Sequence, residues 1–177
     1  MSVTAHENRG TNPDSQDPAS RIEREGYRIG SLALLTPFDK ASALLDMQPI
    51  YRLPRAPGWV SGVINHQGRV VPAFDLALLF GIASSRNDRP MLLLLGHKEE
   101  TTAVTINGIP ERIVLTSHDR VESPLLPDSM AGFVDAAYRR GDQIWLDFDH
   151  GRFLADAVPR YLKQSTVQLD QIEVTQA

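Results

Sequence analysis

The chain of 177 residues contains no cysteine. That excludes disulfides, thiolate nucleophiles and sulfur-ligated zinc, and it suits a reducing compartment. No apolar run exceeds Met91–Leu95, far short of the ~20 residues a membrane-spanning helix needs. Where a secretory segment would place its apolar stretch, the N-terminus carries Glu7, Arg9, Asp14 and Asp17. The expectation is a cytoplasmic chain, neither exported nor inserted into a membrane by its own signals. There is no excess of positive charge: 18 Lys and Arg stand against 22 Asp and Glu, for a net charge of −4 with the signs intermingled. Without a basic stripe, nucleic acid is not an expected partner. No Gly-rich turn leads into a helix with Lys-Ser or Lys-Thr, so Gly58, Gly62 and Gly68 read as turn and bulge residues rather than a phosphate cradle. Neither Ser61 nor the Ser84-Ser85 pair lies in a G-x-S-x-G frame, and no serine can be tied to a histidine and an acid.

What is present is a repeat. Gly62 to Phe80, GVINHQGRVVPAFDLALLF, is echoed by Ala136 to Leu154, AAYRRGDQIWLDFDHGRFL. Gly68 matches Gly141, Val71 matches Trp145, Phe74-Asp75 matches Phe148-Asp149, and Leu79-Phe80 matches Phe153-Leu154. Each copy reads as strand, Gly-containing turn, strand, Phe-Asp and a short apolar helix, which predicts two similar β-units side by side. With 42% hydrophobic residues, a chain of this length can bury about 70% of its unfolded surface in one or two small cores. No cofactor or metal is required to hold it together.

Residues 1–25 are polar, interrupted by Gly10, Pro13 and Pro18, and read as a disordered leader with order beginning near Gly26. Tyr27, Ile29 and Leu32–Leu35 around Gly30-Ser31 predict a hairpin. Asp39–Met47 fits either a short helix or an extended segment. Pro49, Pro54 and Pro57 then predict an extended edge or linker. Trp59–Ile64 and Val70–Phe74 are the clearest strands, reversed by Asn65-His66-Gln67-Gly68. Asp75 and Gly81 bracket a short capped helix. Residues 82–90 connect the two units. Met91–Leu95, Thr101–Ile106 and Ile109–Leu115 follow as strands, the last two predicted to form a hairpin at Asn107-Gly108. Residues 26–158 form the folded region and 159–177 a frayed tail. About nine short strands and no long amphipathic helix predict an all-β architecture of two small barrels.

Few residues suggest chemistry. Asp147, Asp149 and His150, with His118 or His97, have the donor types for a metal or small-molecule site. Asp149, however, aligns with the capping Asp75, and capping is the simpler reading. Trp59 and Trp145 are either core residues or partner anchors, with core favoured because each lies in an apolar strand.

The spaced pattern Leu53-Pro54-x-x-Pro57-x-Trp59-Val60-x-Gly62-Val63-Ile64-Asn65-x-x-Gly68-x-Val70-Val71-Pro72-x-x-Asp75-Leu76 resembles the signature of CheW-like domains. The resemblance runs from about Tyr27 to Leu154. It implies two five-stranded, Src-homology-like barrels around a shared core, with no enzymatic activity and no cofactor. It further implies an adaptor in a chemotaxis or two-component signalling array. One barrel would dock the regulatory domain of a CheA-type histidine kinase, and a groove between the barrels would take the cytoplasmic tip of a chemoreceptor. Carried over by position, the receptor-groove residues are Ala41, Ala43, Gly62, Asn65, Gln67, Gly68 and Val70. Gly62, Asn65, Gly68 and Val70 are expected to shape the groove wall, with Gly62 tolerating a bulky side chain without unfolding.

The family's usual Asn-Leu-Arg-Gly loop is Asn65-His66-Gln67-Gly68 here, and its usual glutamate falls on Ala43. Two charge-assisted contacts are thereby lost. Two accounts fit: an adaptor of a divergent array, such as a pilus-motility or other alternative system, or an array modulator that keeps only the barrel-to-barrel contacts. Exposed barrel ends with apolar strand edges favour weak self-association at high concentration.

Overall fold

The computed structural model describes residues 21–83, 89–122, 124–157 and 159. The expected leader up to residue 20, most of the 82–90 connection and the expected tail from residue 160 onward lie outside the described residues. Strand β1 (Ile22–Ile29) begins before the expected onset at Gly26. It returns through Gly30-Ser31 into β2 (Leu32–Thr36), with Ile29 opposite Leu32, as the hairpin signal predicted. The ambiguous 39–47 segment resolves as strand β3 (Ala41–Asp46). Strands β4 (Val60–His66) and β5 (Arg69–Phe74) form the central hairpin of the first repeat, and helix α1 (Leu76–Phe80) follows. Then come β6 (Pro90–Leu95), β7 (Thr102–Leu115), β8 (Val134–Arg140), β9 (Gln143–Phe148), helix α2 (His150–Arg152) and a π-helical turn over Phe153–Ala157.

The predicted hairpin at Asn107-Gly108 does not form, because β7 runs through it as one strand. A two-residue turn of that kind needs positive φ at both central residues, and only Gly108 has it, at 74°. Gly108 uses that conformation in a bulge: Gly26 faces Glu111 while Arg28 faces Asn107, which puts Gly108, Ile109 and Pro110 opposite Tyr27 alone. Pro110 is tolerated there since a bulge asks for no ladder donor. Asn107 Oδ1 accepts the Gly30 N–H at 2.6 Å, which stitches the bulge to the β1–β2 turn.

The bulge divides β7 between two barrels. Its first half, from Thr102, pairs antiparallel with β6, and Ala73 and Phe74 of β5 pair parallel to Ala103 and Val104. Its second half pairs with β1. The first barrel is therefore ordered β3-β6-β7-β5-β4 and the second β7-β1-β2-β9-β8, with β2 and β9 parallel. This is the all-β, twin five-stranded arrangement expected. Among the described residues nine strands are found, but by two offsetting differences: β3 is added, and the two strands expected within 101–115 are one.

The repeat is visible in detail. In the first copy the register slips between Val60 and Gly62 opposite Phe74 and Ala73, and in the second between Val134 and Ala136 opposite Phe148 and Asp147. The Asp75 N–H donates to Trp59 O at 2.8 Å, and the Asp149 N–H to Phe133 O at 2.9 Å. Asp75 and Asp149 each cap their helix by accepting, at 2.9 Å, the N–H of the third residue on, Leu78 or Arg152. Gly81, at φ 65°, closes α1 as predicted, whereas α2 continues into the π-helical turn.

Each barrel has its own small core: Ile64, Val71, Ala73, Leu92, Leu94 and Ala103 in the first, and Ala33, Leu35, Ile113, Leu115, Tyr138 and Trp145 in the second. A larger cluster between them draws Trp59, Phe74, Leu76 and Phe80 from one repeat together with Leu146, Phe148 and Phe153 from the other. Phe80 meets Phe153 edge to face with centroids 5.6 Å apart, a geometry aromatic pairs favour. Both tryptophans are buried, so the core reading holds for each.

Candidate functional site

Between the barrels lies a cleft of about 690 Å³, within the range of ligand-binding sites. One wall comes from the first barrel through Lys40, Leu95, Gly96, Glu100 and Thr102, and the other from the second through Arg24, Thr36, Asp135 and Asp147–Gly151. Leu154 and Ala155 of the π-helical turn complete it. The end of β6, the start of β7 and the end of β9 meet here.

Arg24 and Asp147 form a partly buried, two-point ion pair across β1 and β9, with Nε 3.3 Å from Oδ1 and Nη2 3.2 Å from Oδ2. This geometry fixes both side chains. Asp135 accepts from Arg152 Nη2 at 2.7 Å. His150 is buried, and its ring nitrogen Nε2 contacts the Tyr27 hydroxyl. Burial pushes the His150 pKa down to about 3, against a smaller opposing pull from Asp149, so the ring is neutral and accepts the Tyr27 O–H. Burial, with Asp147 adding to it, raises the Tyr27 pKa well above its ordinary value. Thr36 and Thr102 line the cleft, while their Oγ1 atoms are closed off from solvent and have no hydrogen-bond partner among the described residues.

Asp147, Asp149 and His150 do share a cleft wall, but each is occupied: Asp147 by Arg24, Asp149 by the α2 cap, and His150 by Tyr27. His97 contacts the Asp39 carbonyl instead, and His118 lies in the 3-10 turn Ser117–Asp119. Among the described residues no three His, Asp or Glu side chains are grouped to hold a metal ion.

The seven positions carried over by resemblance fall in three places, and none is among the residues lining the cleft. Ala41 packs against the shared cluster, and Ala43 against the first barrel's own core cluster. Asn65, Gln67, Gly68 and Val70 form the exposed tip of the β4–β5 hairpin. There Gln67 and Gly68 have φ of 53° and 79°, and Asn65 Oδ1 accepts the Gly68 N–H at 2.9 Å. Val70 is 75% exposed on this tip.

Gly62 corrects the expectation of tolerance. Its φ is 136°, and an added Cβ would come 2.2 Å from the Tyr51 carbonyl oxygen. Tyr51 bridges to Val63 there, with N–H to O distances of 2.8 and 2.9 Å in the two directions. Gly62 is thus covered by backbone and supports the fold. Sequence reasoning had singled out Asp147 but missed Arg24, Thr36 and Thr102, because nothing local signals a cleft assembled from strands of two barrels.

A family model described as "CheW-like domain" matches residues 26–158. Among curated relatives, "Protein PilI" of Pseudomonas aeruginosa is 26% identical over 143 residues, covering 77% of this chain and 77% of that protein. "Protein FrzA" of Myxococcus xanthus is 26% identical over 115 residues, covering 65% of this chain and 69% of that one. "Chemotaxis protein CheW" of Helicobacter pylori is 26% identical over 105 residues, covering 59% and 64%. Among solved structures, the scaffolding protein TtCheW from Thermoanaerobacter tengcongensis aligns with a TM-score of 0.61 at 15% identity, over 71% of this chain and 87% of that chain; it is similar in fold. With a match over residues 26–158, which takes in both barrels apart from the first four residues of β1, the chain belongs to the CheW-like domain family.

Proposed function

We propose that this protein is a non-enzymatic adaptor that couples chemoreceptors to a CheA-type histidine kinase in a cytoplasmic chemosensory array. The reading is carried by one observation: the family match over residues 26–158 takes in both barrels apart from the first four residues of β1. In this reading the kinase regulatory domain docks on a barrel end, and the receptor tip enters the inter-barrel cleft, whose lining is mainly apolar. The exposed hairpin tip of Asn65, Gln67, Gly68 and Val70 is a second contact surface at the side. The presence of PilI and FrzA beside CheW among the relatives supports assignment to a pilus-motility or other alternative array.

A specific observation favours a second reading, in which the chain binds kinase or adaptor barrels only. Gln67 and Ala43 replace the guanidinium and the acid, respectively, of the family pattern, and Ala43 packs on the first barrel's core.

Calorimetric titration separates the two. The regulatory domain of each CheA-type kinase from the source organism is titrated first, and purified receptor hairpin tips second. One-to-one micromolar binding to a kinase is expected. Binding of a tip supports coupling, tip silence with kinase binding supports the modulator, and silence from every kinase overturns both.

A further inference from the structure

The first barrel carries a face whose charge is all of one sign. Residues 47–74 contain Arg52, Arg55 and Arg69 and no Asp or Glu, in a chain whose net charge is −4. All three arginines are exposed. None forms an ion pair or a side-chain hydrogen bond among the described residues. The carboxylates that flank the stretch are engaged elsewhere, Asp46 by Arg89 and Asp75 by the α1 cap.

Between the arginines lies an apolar centre. Tyr51 faces Val63 and Val63 faces Pro72, so the three share one side of the sheet, and Val70, two residues before Pro72, shares it too. Tyr51 is 64% exposed, and Leu53 and Leu78 are exposed as well. Arg52 and Arg55 flank this centre in the loop that follows Tyr51, and Arg69 flanks it at the hairpin tip. An apolar centre with a charged rim is the composition of a protein-docking surface.

Arg55 is an independent sign. The Ala56 N–H donates to Leu53 O at 3.3 Å, closing a turn in which Arg55 is the third residue, at φ 57°. That conformation favours Gly or Asn. A long side chain without a partner in the fold does nothing to offset the strain, and strain kept without internal compensation points to a contact outside the molecule.

We propose that this face of the first barrel docks a protein face with an apolar centre and an acidic rim, read by Arg52, Arg55 and Arg69 around Tyr51 and Val70. The inference rests on the adaptor reading above, in which that partner is the kinase regulatory domain. Its carboxylates meet guanidinium groups that need no release from an internal ion pair.

The test is calorimetric titration of the full chain with the kinase regulatory domain, at low and at moderate salt. Wild-type binding should weaken at the higher salt, because exposed charges are screened. Replacing all three arginines by Glu should weaken binding at least about 30-fold, since like charges then face each other, and should reverse the salt dependence. Tyr51→Ala should weaken it about 10-fold. Arg55→Gly should bind about 3-fold more weakly and melt at or above the wild-type temperature, because the strain leaves with the side chain. Undiminished kinase binding by the triple variant overturns this inference and leaves the adaptor reading standing. A lowered melting temperature in Arg55→Gly overturns it as well, by making Arg55 a structural residue. Binding to no kinase overturns both readings. Sedimentation of the chain alone adds one more outcome: self-association lost in the triple variant, with kinase affinity unchanged, gives the face to a second copy and overturns the kinase as its partner.

Discussion

His150 occupies the position that Leu76 holds in the first repeat, and both are buried. An imidazole in a leucine's place survives because Tyr27 supplies its ring with a hydrogen bond and the ring stays uncharged. The folded-state pKa of about 3 lies below the unfolded value near 6.5. The unfolded chain therefore takes up the proton first as pH falls. Stability from this site is complete above about pH 6.5 and drains away toward pH 3, by about 1.4 kcal/mol per pH unit inside that window. Between pH 7 and pH 5 the loss is about 2 kcal/mol. Urea unfolding of His150→Leu at the two pH values should lack this component; an identical pH dependence in the variant would show that His150 is not its source. Gly62 shows the opposite relation of residue to fold. Its φ of 136° and the Tyr51 carbonyl against it make Gly62→Ala destabilising by at least ~2 kcal/mol. Full wild-type stability in that variant would mean that the Tyr51 bridge is not maintained in solution.

At the scale of elements, β7 decides the architecture. A hairpin at Asn107-Gly108 would have returned the chain into the first barrel. The bulge instead carries the strand across, so one strand serves both units. Asn107 holds this crossing through the Gly30 N–H. Asn107→Ala should cost about 1 to 2 kcal/mol, the penalty of a donor left without its partner. Amide exchange should show Gly30 losing protection first; retained protection at Gly30 would remove Asn107 from that role. The helix ends were readable in advance because a cap is a local device. Asp75 and Asp149 each need only the chain three residues on, and Gly81 needs only its own backbone freedom. Strand β3 was not readable, since Ala and Leu satisfy helix and strand alike and its partner β6 lies far along the chain.

At the scale of the molecule, the aromatic cluster makes one folding unit of two barrels. Phe153 packs against Phe80, Phe133 and Phe148 and so touches both repeats. Phe153→Ala should destabilise by about 3 to 5 kcal/mol and keep a single cooperative transition. Two separate melting transitions in the wild type would show that the barrels are held by their own cores alone. The cleft exists only at this scale. Its walls come from β1, β2, β8 and β9 on one side and from β6 and β7 on the other, and its charge balance is a sum over residues scattered from Arg24 to Asp149.

The amino-acid sequence by itself determined the repeat, the strand character of most segments, both helix caps and, through the spaced Pro, Trp, Gly and Asp pattern, the family. Each of these depends on neighbours within a few residues or on simple alternation. Tertiary structure alone decided that β7 is continuous, that Gly62 lies beneath a crossing backbone and that a cleft opens between the barrels. Those features arise where residues distant in sequence are packed together, and no local preference records which ones will meet.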